Sequence, residues 1–340
     1  MLKLSRYLKT ILLRQEVSNY RPISILAVLS KKMEKHVHSV LYSYLIKHSL
    51  LSSSQSGFRR LHSCETALIN IMDSWMEAID KGKLIGTIFL DLSKAFDLVD
   101  HDILLHKLRI YGLSSNAHQW FKSYLTDRKQ CTYIEGVYSA QGNLTCGVPQ
   151  GSVLGPLLFL IHLNDLDLFL THAKADMYAD DTSFHVSGKN IEEINKRLNK
   201  DAGIVSSWCD NNRMIINTEK TKSMLIGSKQ RIALLGHPSS LSIIVNNSLL
   251  KNVNCEKLLG VKIDSNLLWH DQVDYICTKV NNRLALLRRI KPFIDRQTCI
   301  LYYNGYILPI IDYCSIIWST CNNGEMQRVI KLQKAAARII

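Results

Sequence analysis

The sequence predicts an α+β fold. Several long segments carry apolar residues at helical spacing, and short apolar runs without that spacing lie between them. The two kinds of segment follow no regular βαβ rhythm, which argues against a doubly wound sheet. A chain of 340 residues, 46% of them apolar, has material for two or three packed units with a real core.

In chain order, the first clear helix is 64–79, where Leu68, Ile71, Met72, Trp75 and Ile79 share one face. Leu84–Leu90 is an apolar run that reads as a strand ending at Asp91. Ala175–Ala179 and Thr182–Val186 flank Asp180-Asp181 and read as a hairpin with an Asp-Asp turn. A helix over 190–208 has Ile191, Ile194, Leu198, Ala202, Val205 and Trp208 on one side. Ser242–Val245 and Leu259–Ile263 are further short strands. The pattern Val273, Ile276, Val280, Leu284, Leu287 predicts a helix over 273–290, and another covers 325–340. All these stripes are read first as ordinary core.

The formal net charge is +13, which points to an anionic partner, nucleic acid first among them. Residues 1–60 hold 11 Lys/Arg against 2 Asp/Glu, 61–250 hold 18 against 20, and 251–340 hold 13 against 7. A slightly acidic centre between basic flanks suits a metal site set between phosphate-holding surfaces; a solvated basic surface explains the charge equally well. The nine cysteines form no CxxC pair and no zinc spacing, and their number is odd. They are expected to be reduced thiols in an intracellular protein. The longest apolar stretch, Val153–Leu163, is interrupted by Gly155, Pro156 and His162 and is too short to span a membrane; no secretory signal is visible.

Three motifs carry chemistry. In Tyr178-Ala179-Asp180-Asp181 two adjacent carboxylates share a tight turn, and their repulsion is best relieved by a cation such as Mg²⁺, which takes carboxylate and phosphate oxygens. Random order would give roughly 0.07 such aromatic-x-Asp-Asp matches in this composition, so the match alone is suggestive and a solvated polar turn is the plain alternative. In Phe89-Leu90-Asp91-Leu92-Ser93-Lys94-Ala95-Phe96-Asp97 an apolar strand ends in a carboxylate; a strand-to-helix junction with Ser93 or Asp91 as helix cap is the plain alternative. In Gly147-Val148-Pro149-Gln150-Gly151-Ser152 a turn opens an apolar helix, with Gly151 permitting close backbone approach and Gln150 offering both donor and acceptor.

The order of these blocks, Asp91 then Pro-Gln-Gly then Tyr-x-Asp-Asp, resembles the palm motifs of reverse transcriptases. Asn19-Tyr20-Arg21-Pro22-Ile23-Ser24 and Gln55-Ser56-Gly57-Phe58-Arg59 are similar to the two upstream fingers motifs. Ile216-Asn217-Thr218-Glu219-Lys220-Thr221 resembles the motif after the catalytic hairpin, and Leu258-Leu259-Gly260-Val261 the primer grip. Tyr302 through Trp318 and Leu332-Gln333-Lys334-Ala335 are similar to the region that follows the polymerase in jockey-like non-long-terminal-repeat retrotransposons. The resemblance runs from about residue 17 to the end.

This resemblance implies a right-hand polymerase of fingers, palm with an antiparallel sheet, and helical thumb. The implied divisions are 1–84 for fingers, 85–264 for palm with a fingers insertion around 100–145, and 265–340 for a helical thumb or connection. It implies RNA-directed DNA polymerisation with two Mg²⁺ ions, Mn²⁺ being the alternative, held by Asp91, Asp180 and Asp181. Phe96 falls at the steric-gate position, Gln150 and Gly151 beside the incoming nucleotide, and Arg59, with Arg60 second, on the triphosphate. Lys220 is a candidate proton donor to pyrophosphate, and Asp97 is expected to be structural. Lys279, Arg283, Arg288 and Arg289 are expected to track the duplex backbone. The implied partners are an RNA template, a DNA primer and deoxynucleoside triphosphates, in the nucleus and cytoplasm. Both ends are expected to be cut short relative to the family, with no endonuclease, zinc knuckle or ribonuclease H pattern. The competing readings are a catalytically silent nucleic-acid-binding remnant and an RNA-copying polymerase on the same palm.

Overall fold

The computed structural model describes residues 2–5, 21–134, 136–234 and 240–340. Asn19 and Tyr20 of the first fingers block lie outside them. The chain starts with strands β1 (Leu2–Ser5) and β2 (Arg21–Ser24), paired antiparallel, and helix α1 (Val28–Lys47). Helix α2 (Cys64–Asp80) begins at a capping box, Ser63 and Thr66 each bonding the other's backbone N–H. Strand β3 (Leu84–Leu90) follows, as the apolar run predicts. Helices α3 (His101–Ile110), α4 (Ser115–Leu125) and α5 (Gly155–Leu163) lead to the hairpin of β4 (Lys174–Tyr178) and β5 (Asp181–Gly188). Helix α6 (Ile191–Asn211) and strands β6 (Lys222–Ile226) and β7 (Lys251–Asn252) come next. The hairpin β8 (Cys255–Leu258) and β9 (Val261–Asp264) introduces helix α7 (His270–Ile290). Short helices α8 (Arg296–Tyr302), α9 (Leu308–Asp312) and α10 (Ser315–Trp318) precede α11 (Asn323–Ile339).

The central sheet has the order β7-β6-β3-β5-β4, antiparallel except where β7 joins β6. Both faces of β3 are covered, which is why its seven residues are all buried and apolar or small rather than alternating. Leu84, Ile88 and Leu90 belong to a core shared with α3, α5 and α6, whereas Ile85 and Phe89 belong to one shared with α2, the β8–β9 hairpin and α7 to α11. The sheet is thus a partition between two cores, and its strand ends at Asp91 and Asp181 are left as an edge.

Three expectations about strands and turns shift. The β4–β5 turn is Ala179-Asp180, not Asp180-Asp181, because Tyr178 pairs with Asp181 and Ala179 takes the left-handed conformation (φ 58°). The strand expected at Leu259–Ile263 starts at Val261, because Leu259 and Gly260 both have positive φ (46° and 89°) and form the hairpin tip. The expected strand Ser242–Val245 is reduced to Ile244–Val245, which pairs with Ser248–Leu249.

Asp201, fully buried in α6, holds the start of β4. Its carboxylate accepts hydrogen bonds from Thr171 N–H and Oγ1, His172 N–H (2.8 Å) and Ala173 N–H (2.5 Å). Burial pushes this carboxyl up, but the Thr171 side chain and the three backbone donors outweigh it and hold it below the ordinary aspartate value. The carboxylate therefore stabilises the fold above the unfolded value, and that contribution is lost as pH falls through the depressed folded value. Asp201→Asn, which turns an NH₂ toward N–H donors, is expected to cost about 1–3 kcal/mol at pH 7 and to flatten the acid limb of stability. Urea melts across pH 3–7 check it.

Candidate active site

Three segments converge on the sheet edge. Extending the β3–β5 register past Leu90↔Thr182 sets Asp91 opposite Asp181, which itself faces Tyr178 across the hairpin. Asp180 stands in the turn between them. Asp91 and Asp180 are half-buried and Asp181 is exposed. Like charges directly opposite on paired strands repel, and a divalent cation relieves that repulsion. Among the described residues no three His, Cys, Asp or Glu side chains gather tightly enough to enclose a metal ion by themselves. Mg²⁺ does not need such a cage: it is commonly bound through one or two carboxylates, with substrate phosphates completing the shell. Three hard oxygen donors on one edge fit that kind of ion.

The backbone at Asp91 is fixed from the segment after α6. Asp91 N–H donates to Thr221 Oγ1 (3.1 Å), Asn217 N–H donates to Asp91 O (2.9 Å), and Ser93 N–H donates to Ile215 O (2.8 Å). The motif Ile216 through Thr221 is therefore a brace for the first carboxylate. Lys220 is exposed beside it.

The Asp-Asp turn is fixed from a different direction. Residues 54–57 run along β4: Met177 N–H donates to Ser54 O (2.9 Å) and Ser56 N–H to Met177 O (2.8 Å). Gln55 is 1% exposed, and its Oε1 accepts from Ala179 N–H (2.9 Å) and Gly57 N–H (2.7 Å). Its Nε2 donates to Ala179 O (3.5 Å). A non-glycine residue in the left-handed region is strained by about 1–2 kcal/mol, and this amide clamp holds Ala179 there. Gly57 presses against the same turn: a Cβ at this position would lie 2.1 Å from Ala179 N. Gln55 and Gly57 were visible in sequence only as part of a fingers motif. Their contact with a turn more than a hundred residues away had no local signal.

The Pro-Gln-Gly turn rides on the Asp91 block. Val148 N–H donates to Phe96 O (2.9 Å), Gly147 N–H to Val99 O (2.7 Å), and Gln150 Nε2 to Asp97 Oδ1 (3.0 Å). Asp97 thus orients Gln150, a structural role. Gly151 has φ 99° and packs on β2, where a Cβ would be 3.1 Å from Ser24 O. Phe96 is half-buried, stacked on Phe159 of α5 (centroids 4.1 Å, 17°) and edge-on to the exposed Phe58 (6.3 Å, 88°). Its ring position is set from two sides.

Arg59 is less free than its motif suggests. Its Nη1 donates to Ser52 O (2.7 Å) and Gln55 O (3.0 Å), while Nε is buried without a partner. On α7, Arg288 and Arg289 are exposed in the last turn, but Arg283 folds onto Tyr306, with its guanidinium 3.8 Å from the ring centroid and a bond to Tyr306 O. The primer-grip block is the β8–β9 tip. A cavity of about 280 Å³ has Asp181, Tyr178 and Ser56 on one side and Leu258 and Leu259 on the other. Tyr313 secures the tip, its OH donating to Leu259 O (2.7 Å).

Asp91, Asp180 and Asp181 thus share one edge of an antiparallel sheet that loops from both flanks brace. The profile of the Reverse transcriptase (RNA-dependent DNA polymerase) family matches residues 11–276, and the chain belongs to that family. It is 28% identical over 338 residues to the probable RNA-directed DNA polymerase from transposon BS of Drosophila melanogaster, covering 95% of this chain and 36% of that protein. It is 26% identical over 335 residues to the RNA-directed DNA polymerase from mobile element jockey of the same species, covering 96% and 36%. The chain thus spans about a third of the length of the curated relatives it matches. Apo telomerase from Candida tropicalis superposes with a TM-score of 0.49 at 13% identity, over 94% of this chain and 61% of that one. Among the described residues no helix is long and apolar enough to cross a membrane.

Proposed function

We propose that this chain copies RNA into DNA, transferring deoxynucleotides to a primer 3′-hydroxyl, as the polymerase of a jockey-like retrotransposon. The observation that carries the reading is the set Asp91, Asp180 and Asp181 on one sheet edge, in a chain of this family. The three carboxylates would hold two Mg²⁺ ions, whose chemistry is to polarise the phosphoryl group and to stabilise charge on the attacking and leaving oxygens.

The chain's own residues do the rest. Gln55 and Gly57 keep the Asp-Asp turn in its strained conformation, and Thr221 and Asn217 keep Asp91 in place. Arg59 keeps its Nη1 on the loop carbonyls, and its Nη2 would donate to a phosphate oxygen. Gln150, oriented by Asp97, and Gly151 face the base and sugar. Lys220, exposed near Asp91, gives a proton to departing pyrophosphate. Division into fingers at 1–84, palm at 85–264 and thumb at 265–340 accompanies this reading. It is supported by the sheet strands β3 to β6 falling within the second part and the helices α7 to α11 within the third. Primer extension on an RNA template, beside Asp180→Asn, tests it. Extension that the variant lacks supports the polymerase. Duplex binding without extension by the wild type points to a silent remnant.

The placement of Phe96 gives a further expectation. An aromatic ring pinned between Phe159 and Phe58 cannot yield to a ribose 2′-hydroxyl. Phe96→Ala should raise the ratio of kcat/KM for ribo- over deoxynucleotides by roughly 10- to 200-fold, the range of a modest change in pocket volume. An unchanged ratio would remove Phe96 from the sugar pocket.

A further inference from the structure

Glu34 is the one acidic residue of α1, and it is 3% exposed. Among the described residues it forms no ion pair. Burying a carboxylate without a cation is costly unless hydrogen bonds take up its lone pairs. Here donors from two other parts of the fold do so. Oε2 accepts from Val153 N–H (2.7 Å) and Leu154 N–H (3.4 Å), and Oε1 accepts from Tyr124 OH (3.1 Å) on α4. The phenol stays a donor, because burial first and then the Glu34 charge push it up to about 12. Its ring is held by Trp120, stacked on it (centroids 5.5 Å, 10°), and by the Arg128 guanidinium, 5.0 Å from the ring centroid.

Val153 and Leu154 connect the Pro-Gln-Gly turn to α5. The side chain at the cap position, Leu154, makes no capping bond, and Pro156 in the first turn has no N–H. A negative charge at this end is favourable. A Ser, Asp or Asn at the cap would supply an acceptor locally. An acid reaching over from a helix more than a hundred residues earlier does something further: it fixes the turn relative to α1 and α4. The entry to the turn is already tied to Phe96, Val99 and Asp97, so Glu34 holds the exit. Between these two anchors the turn lines a cavity of about 340 Å³, together with Lys94 and Asp97.

We propose that Glu34 is a positioning residue for nucleotide binding: it anchors the exit of the Pro-Gln-Gly turn and so sets the affinity for the incoming deoxynucleoside triphosphate. The inference rests on the polymerase reading above. Glu34 touches no substrate and acts through Gln150 and Gly151.

The test compares Glu34→Gln with Asn190→Ala, which removes the cap of α6 (Asn190 Oδ1 accepts from Glu193 N–H, 2.8 Å) and leaves the turn alone. Glutamine keeps the size and one acceptor oxygen, and Tyr124 OH can accept from its NH₂, so the fold survives while the charge is lost. In primer extension, Glu34→Gln should raise the KM for deoxynucleotide by about tenfold, the worth of a charge-assisted hydrogen bond, with kcat nearly unchanged. Hydrogen exchange at residues 147–155, followed by mass spectrometry, should speed up as well. Tyr124→Phe, which frees Oε1, should move both readouts the same way by less. The double variant with Gln150→Ala should have the KM of Gln150→Ala alone, because both changes act at one turn. Asn190→Ala should lower the urea midpoint and move neither KM nor exchange at the turn. A lower kcat at unchanged KM in Glu34→Gln, or KM effects that add in the double variant, overturn the positioning role and leave a stabilising cap. Unchanged exchange at 147–155 in a chain whose wild type extends primers overturns the inference alone. A wild-type chain that extends no primer overturns the polymerase reading and the nucleotide role together.

Discussion

Asp180→Asn is expected to lower the rate of nucleotide addition by about a thousand-fold or more while leaving duplex affinity nearly unchanged. The substitution keeps the size of the side chain and removes its charge. A metal ion contributes several kcal/mol of transition-state charge stabilisation, and each ~1.4 kcal/mol is a tenfold change in rate. The turn itself should survive, because it is built by the backbone of Ala179 and the Gln55 amide rather than by the Asp180 carboxylate. Single-turnover extension with a bound primer–template gives the rate, and anisotropy gives the affinity. A rate within tenfold of wild type would take Asp180 out of the metal site.

Gly57→Ala should also be damaging, by about tenfold less, although it removes no functional group. The added methyl would fall 2.1 Å from Ala179 N and 2.8 Å from Tyr178 C, both backbone atoms at the Asp-Asp turn. Neither can swing aside as a long side chain can. Either the 54–57 segment lifts off β4, breaking its bonds with Met177, or the turn moves. Overpacking of this kind costs about 1–3 kcal/mol of stability. A displacement of ~1 Å at a reacting group costs about a hundredfold in rate. The expected result is a folded protein with a modestly lower urea midpoint and a rate down by about two orders of magnitude. Gln55→Ala should follow the same pattern, since it strands Ala179 N–H and releases a strained residue. Wild-type rates in both variants would show that the turn holds itself.

What was legible in the sequence follows from how local the cause is. Strand β3 was readable from end to end because a strand covered on both faces has one composition throughout. The faces of α2, α6 and α7 were readable because a helix buries residues at a fixed period, and Val273 through Leu287 are buried as the spacing implies. The carboxylates were readable from their motifs, but the turn register was not. Nothing in Tyr-Ala-Asp-Asp says that Ala179 rather than Asp180 takes the left-handed conformation; that choice is enforced by Gln55 from another part of the chain. Likewise Gly57, Thr221 and Tyr313 act on the site through single long-range contacts, which leave no periodicity. Arg59 and Arg283 show the reverse case. Their charge suggested phosphate contacts, yet loop carbonyls and Tyr306 take up much of their bonding in the free protein.

On the proposed reading, the sheet edge carrying Asp91, Asp180 and Asp181 copies RNA into DNA with a divalent metal. The most direct measurement is primer extension by the wild-type chain on an RNA template, with deoxynucleotides, titrating Mg²⁺ from zero in the presence of a chelator. The expected result is template-directed products that appear only with added Mg²⁺ and that contain deoxynucleotides in preference to ribonucleotides. Template-directed extension that persists without any divalent ion, or that prefers ribonucleotides, would contradict it.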